Sequence, residues 1–163
     1  MAARKAKAQL RAKARADEAA SLDLSALTTI VGYPLRRAQL AVFEDFNRRF
    51  AAIKLSPAQY SALVIIGANP GRRQSEIAGA LGIQRPNFVA MMDELERRGL
   101  AERLRSPTDR RSRALALTAV GAALVARARH VQAEQEQEVE RLIGRDGREQ
   151  LVATLARLAE LAT

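Results

Sequence analysis

The chain contains no cysteine. That rules out a disulfide framework, a thiolate metal site and a thiol-based redox switch. It has a single histidine, His130, whereas zinc sites draw on several nitrogen or sulfur ligands; no metal is expected. Tryptophan is absent and aromatics make up only 4% of the residues. Alanine, leucine and arginine dominate instead, as in a mostly helical protein. No apolar run approaches the ~20 residues that cross a bilayer, so no membrane partner is expected. An apolar secretory segment is also missing from the N-terminus, and the expected location is the cytoplasm. Neither a phosphate-cradling glycine loop nor a nucleophile turn occurs. The expectation is therefore no cofactor, no catalytic residue and no enzyme.

What the chain does have is positive charge. Lys and Arg number 27 against 18 Asp and Glu, a net charge of +9. Such an excess favours a polyanionic partner, although a merely well-solvated basic protein has the same balance. With 163 residues, 48% of them hydrophobic, one self-sufficient core is expected. Residues 1–21 form a basic arm in which Arg4, Lys5, Lys7, Arg11, Lys13 and Arg15 precede the first acid, Asp17. Residues 1–16, Ala-rich, basic and acid-free, superficially resemble a mitochondrial transit peptide. The arm reads either as a solvated tail or as an element that adds nonspecific, salt-sensitive DNA contacts.

Residues 74–118 carry the organising pattern. Ile77 and Leu81 share one face of a short helix, and Gly82 then breaks the chain. A second helix opens at about Gln84 or Arg85, with Pro86 in its first turn, where no hydrogen bond is lost. Phe88, Met91, Met92 and Leu95 form one buried stripe at helical spacing, and Gly99 marks a left-handed stop. Gln84, Arg85, Pro86, Asn87, Val89 and Ala90 are left facing outward, as in a helix-turn-helix whose second helix meets the major groove. Extended runs follow at 101–105 and 114–118, joined by the turn sequence SPTDRRSR. Between residues 103 and 113 there are five arginines (103, 105, 110, 111 and 113) against Asp109 alone, a net charge of +4. A helix-turn-helix followed by a basic hairpin is a winged helix, suited to a phosphate backbone.

The wing continues as Asp109-Arg110-Arg111 and then Leu117-Thr118-Ala119-Val120-Gly121. This resembles the MarR family of bacterial transcription regulators, whose wing carries D-x-R followed by L-T-x-x-G. The segments LSPAQYSALVIIG and ERRGLAER are similar to the family in order and spacing, and the resemblance covers roughly residues 32–163. It implies a mainly α fold with a small β-hairpin wing, a homodimer formed by the terminal helices, and a pseudo-palindromic double-stranded DNA operator. The domains expected are a 22–55 dimerisation and ligand region, a 56–118 DNA-reading lobe and 119–163 C-terminal dimerisation helices. Arg111 is expected in the minor groove, oriented by Asp109, with Arg105, Arg110 and Arg113 near phosphates and Gln74 and Ser75 at the DNA face. Pro86, Val89 and Ala90 depart from the family's more polar reading face; they can meet thymine methyls but cannot hydrogen-bond guanine. That shifts weight onto DNA shape. Arg72 and Arg73 read either as phosphate contacts or as an idle charged loop.

Upstream, a short helix or turn at 22–31 leads into a long helix reaching about Ile53. Leu35, Val42, Phe46 and Ile53 lie along its apolar face, widened by Phe43 and Phe50. Most of these aromatics read as core. The segment GYPLRRAQLAVFEDF also resembles regulators of hydroxycinnamate and other aromatic-acid catabolism. By that resemblance Tyr33, Arg36, Arg37, Phe43, Phe46 and Tyr60 are ligand-pocket candidates. The implied inducer is an aromatic acid or its CoA thioester, acting on a repressor. Ser56 and Gln59 form a capping box that starts the next helix. After the wing a long helix runs to about Ile143, its run QAEQEQEVE reading as a solvated face, and residues 144–147 break it. Leu151, Leu155, Leu158 and Leu161 then form a stripe that needs cover, from a second subunit or from the same chain. The rival function is a nonspecific architectural DNA binder without an inducer.

Overall fold

Ser56 sets a firm helix boundary. Its hydroxyl oxygen accepts from Gln59 N at 3.2 Å, while Gln59 Oε1 accepts from Ser56 N at 3.1 Å. This reciprocal pairing satisfies two N–H groups that the helix cannot satisfy itself. A computed structural model describes residues 22–105 and 113–162. In order they form α1 (Ser25–Thr28), α2 (Gly32–Phe50), α3 (Pro57–Ala68), α4 (Gln74–Ala80), α5 (Arg85–Arg97), β1 (Ala101–Arg105), β2 (Arg113–Leu117), α6 (Ala119–Ile143) and α7 (Arg145–Ala159), with a closing 3-10 turn at Glu160–Ala162. The arm at 1–21 lies outside the described residues, as do Asp109, Arg110 and Arg111.

The chain divides into two compact units, Met1–Val42 and Phe43–Thr163. In the first, Leu22, Leu27, Ile30 and Val31 are exposed. So are Leu35 and, in the same unit, Val42; the expected apolar face of α2 is buried only at its C-terminal end. That helix also stops at Phe50, short of Ile53, where Ile53 N and Lys54 N both fold back onto the Phe50 carbonyl.

The second unit holds the core. Phe50, Leu63, Ile66, Phe88, Met92, Leu95 and Leu115 are each below 2% exposed, bringing together α2, α3, α5 and β2, with Val125 and Ala128 of α6 also buried. Phe88, Met92 and Leu95 fulfil the stripe expected for the second helix of the helix-turn-helix, and Met91 packs at its margin. The two strands pair antiparallel from Ala101 opposite Leu117 to Arg105 opposite Arg113. The segment before α4 adds a third edge: Gly71 N donates to Leu115 O and Leu115 N to Arg72 O, both at 2.9 Å, and Arg73 bridges Ala114.

Helix α5 ends at a left-handed Gly99, φ 66°. Gly99 N donates to Glu96 O at 2.8 Å and Leu100 N to Leu95 O at 2.9 Å, which closes two otherwise orphaned carbonyls. The break expected across 144–147 is narrower than the sequence implied. Gly144 alone leaves the helical path, and Arg145, Asp146 and Gly147 already belong to α7.

The QAEQEQEVE run is more than a solvated face. Gln135 is 3% exposed and its Nε2 donates to Asp45 Oδ2 of α2 at 3.2 Å. Glu136 accepts from Arg148 Nε of α7 at 2.8 Å. Among the described residues no cluster of potential ligands could hold a metal ion.

Candidate nucleic-acid interface

Helix α5 stands on its buried stripe and turns its first two turns outward. Gln84 at the N-cap, then Arg85, Pro86, Asn87, Val89 and Ala90, are all exposed. The Gln84 side chain makes no capping hydrogen bond here, and the positive end of the helix dipole lies at this exposed end. Ser75 is exposed near the start of α4, and Gln74, the first residue of α4, is half-buried. These positions all lie on the two helices of the helix-turn-helix or at the N-cap of the second. Arg105 and Arg113 are backbone partners in the last described rung of the hairpin.

The flanking arginines divide. Arg72 pairs with Glu76 at 3.3 Å, and the Arg73 backbone N donates to Glu76 Oε2 at 2.7 Å. That backbone hydrogen bond, assisted by the Arg72 charge, holds the Glu76 carboxyl below its usual range. Glu76 thus anchors the entry to α4. Arg103 departs furthest from expectation. Charge along the chain groups it with the basic loop, yet its guanidinium turns inward to Asp93 at 2.7 Å and also pairs with Glu96, and its side chain is 17% exposed. The sequence signal was present: Ala101 and Arg103 share one face of a strand, and Ala101 is buried.

The ligand-pocket candidates fall in both units. Tyr33 is half-buried and Arg36 and Arg37 are exposed in the first unit. In the second, Phe43 is exposed, Phe46 is 5% exposed and Tyr60 is half-buried. Phe46 stacks on Phe50 with ring centroids 3.7 Å apart, and Tyr60 closes the trio at 5.9 Å from Phe46 and 5.2 Å from Phe50. Phe46 is therefore firmly part of the core packing. Burial raises the pKa of the Tyr60 hydroxyl, opposed by the charge of Arg129 on α6. Arg129 was missed because nothing in the spacing of α6 marks it as a neighbour of Tyr60.

An exposed helix end, a capped helix before it and a hairpin leading from it define a winged helix-turn-helix, the architecture of a DNA-binding regulator. A MarR family model matches residues 53–112. A putative transcriptional regulatory protein for the hcr operon of Thauera aromatica is 35% identical over 129 residues, 78% of each chain. The transcriptional repressor CouR, solved on a 23-mer DNA duplex, is 52% identical with a TM-score of 0.82, over 85% of this chain and 99% of that one. CouR bound to p-coumaroyl-CoA is 49% identical with a TM-score of 0.80, over 85% of this chain and 98% of that one. The chain belongs to the MarR family of transcriptional regulators. Regulators of this family are dimeric. Among the described residues, no helix is long and apolar enough to cross a membrane.

Proposed function

We propose that this protein is a repressor of hydroxycinnamate-type aromatic catabolism genes, released from its operator by an aromatic acid or the CoA thioester of one. The observation that carries this is the 49% identity, over 85% of the chain, to a repressor solved with p-coumaroyl-CoA. Two subunits set two α5 N-termini into successive major grooves, which calls for half-sites about one helical turn apart. Gln84, Arg85, Asn87, Val89 and Ala90 meet base edges there. Arg111, oriented by Asp109, enters the minor groove, while Arg105, Arg110 and Arg113 meet phosphates that set register rather than sequence.

By resemblance, Tyr33, Arg36 and Arg37 of the first unit and Phe43, Phe46 and Tyr60 of the second are the candidate inducer contacts. Aromatic side chains suit its ring, and a guanidinium suits a carboxylate or phosphate. Release follows from population shift: the inducer binds better to a dimer whose reading heads are wrongly spaced for the duplex. The protein acts in the cytoplasm, without catalysis.

Fluorescence anisotropy with a duplex from the protein's own promoter region tests this. The operator should be preferred over random DNA by ~4–10 kcal/mol. Adding p-coumaroyl-CoA should weaken operator binding, and CoA alone should not. Equal affinity for the two duplexes identifies an architectural binder instead. An operator affinity indifferent to both p-coumaroyl-CoA and p-coumarate removes the inducer assignment.

A further inference from the structure

We propose that Arg103 is a positioning residue for DNA recognition, not a phosphate contact, and that it fixes which face of the Gln74 amide is offered to DNA. The proposal rests on the DNA-binding role set out above. Arg103 lies in β1 and reaches three separate parts of the helix-turn-helix. Its Nε donates to Gln74 Oε1 at 3.1 Å, at the first residue of α4. One terminal nitrogen pairs with Asp93 at 2.7 Å and with Glu96, both on α5. The other donates to Val89 O at 3.3 Å, within the outward-facing start of α5. The backbone closes the same link, since Arg103 N donates to Glu96 Oε1 at 2.8 Å.

A guanidinium has five N–H donors in a rigid plane. Here four of them are taken by partners of the same chain. Two carboxylates also offset the charge, so Arg103 adds no net positive field toward a duplex. What it does is tie the wing's first strand, the recognition helix and the start of α4 into one body. Recognition needs those parts at fixed mutual angles, and preorganised contacts lower the ordering cost of binding.

Gln74 gains an orientation from the same contact. Arginine has no acceptor, so the amide oxygen must be the atom facing Arg103. The amide nitrogen, with its two N–H groups, is then what Gln74 offers to any further partner. Donors of that kind match a phosphate oxygen.

Salt-dependent binding of the full-length protein to operator and random duplexes separates this from the simpler idea of a phosphate-binding arginine. Arg103→Lys keeps the charge but cannot reach Gln74, Asp93, Glu96 and Val89 O together. It should lower the operator-to-random preference by about tenfold, the scale of coupling within a contact network, while the salt slope stays at the wild-type value. A lysine acting as a phosphate contact would instead retain wild-type preference. Arg103→Met would then reduce the slope by about 0.9 per subunit, and either result overturns the proposal. Gln74→Glu preserves an acceptor for Arg103, so its unfolding midpoint should not fall; its affinity for both duplexes should fall together, because an anionic acceptor replaces outward donors. Unchanged DNA affinity in Gln74→Glu overturns the amide assignment. Wild-type protein with no operator preference overturns the functional role itself. The strut is read independently from an Arg103→Met/Glu96→Gln unfolding cycle: non-additive effects are expected, and additive ones overturn it.

Discussion

Thr118 Oγ1 donates a 2.6 Å hydrogen bond to the Gly99 carbonyl, joining the start of α6 to the turn that ends the recognition helix. The same oxygen accepts from Gly121 N at 3.0 Å and so caps α6. Thr118 N donates to Leu100 O at 3.2 Å. A Cβ placed on Gly121 would overlap that Leu100 carbonyl oxygen, a backbone atom with nowhere to go. The L-T-x-x-G pattern therefore has a physical meaning in this chain: threonine caps and staples, and glycine allows the close approach. The joint ties the start of α6 to the turn that ends the recognition helix through two hydrogen bonds and one close backbone approach.

Thr118→Ala should cost about 1–2 kcal/mol in unfolding free energy, the range for losing an N-cap. Gly121→Ala should cost about 1–3 kcal/mol through overpacking. Urea denaturation measures both. If Gly121→Ala proves neutral, the close approach does not exist in solution.

This joint also shows what the sequence made legible. The capping box at Ser56 and Gln59, the stripe at Phe88, Met92 and Leu95, the hairpin and the Gly99 stop follow from local periodicity and backbone chemistry, which a linear string displays directly. Arg103 did not, because its partners Gln74, Asp93 and Glu96 become neighbours only once β1 packs beside α4 and α5. Charge counting along the chain assigned it to the loop. The burial of Gln135 is hidden for the same reason: a polar run says nothing about Asp45, ninety positions away. Leu35 shows the converse, since helical spacing identifies an apolar face but not what covers it.

Asp45 should leave a mark on acid stability. Its carboxylate accepts from Arg49 Nε at 2.6 Å and from Arg48, and Gln135 donates to it as well. The Arg49 hydrogen bond, followed by the Arg48 contact and both charges, outweighs burial and holds its pKa below the ordinary 3.8. A depressed carboxylate contributes stability that is present above the unfolded value and is lost as pH falls through the folded one. Asp45→Asn should therefore reduce stability at neutral pH and narrow its gap to wild type at pH values well below 3.8. Glu76, also depressed, supplies a similar limb in both proteins, so the difference curve isolates Asp45. A gap that is constant with pH contradicts the assignment.

The wing is tested by Arg111→Ala. An arginine in the minor groove adds both electrostatic attraction and shape selectivity. Its removal should reduce operator affinity and lower the salt slope by about 0.9 per subunit. Arg113→Ala, as a phosphate contact, should weaken operator and random DNA by similar factors. If Arg111→Ala matches wild type in affinity and slope, the minor-groove role is wrong.

The last helix carries the sharpest prediction about assembly. None of α7 is buried within the chain, and Leu151, Val152, Leu155 and Leu161 are 44%, 56%, 38% and 86% exposed. A contiguous apolar face of this kind marks an interaction surface, and a dimeric family supplies the partner as a second copy. Replacing Leu151 and Leu155 together by aspartate places two charges where a subunit contact would bury them, at a cost that an interface cannot absorb. Sedimentation should show wild type at twice the chain mass and the double variant at the chain mass, with helicity retained because the second unit's core does not depend on α7. Operator affinity should then fall steeply, since two tethered heads gain from effective concentration and a lone head does not. A double variant that remains dimeric would place the interface elsewhere.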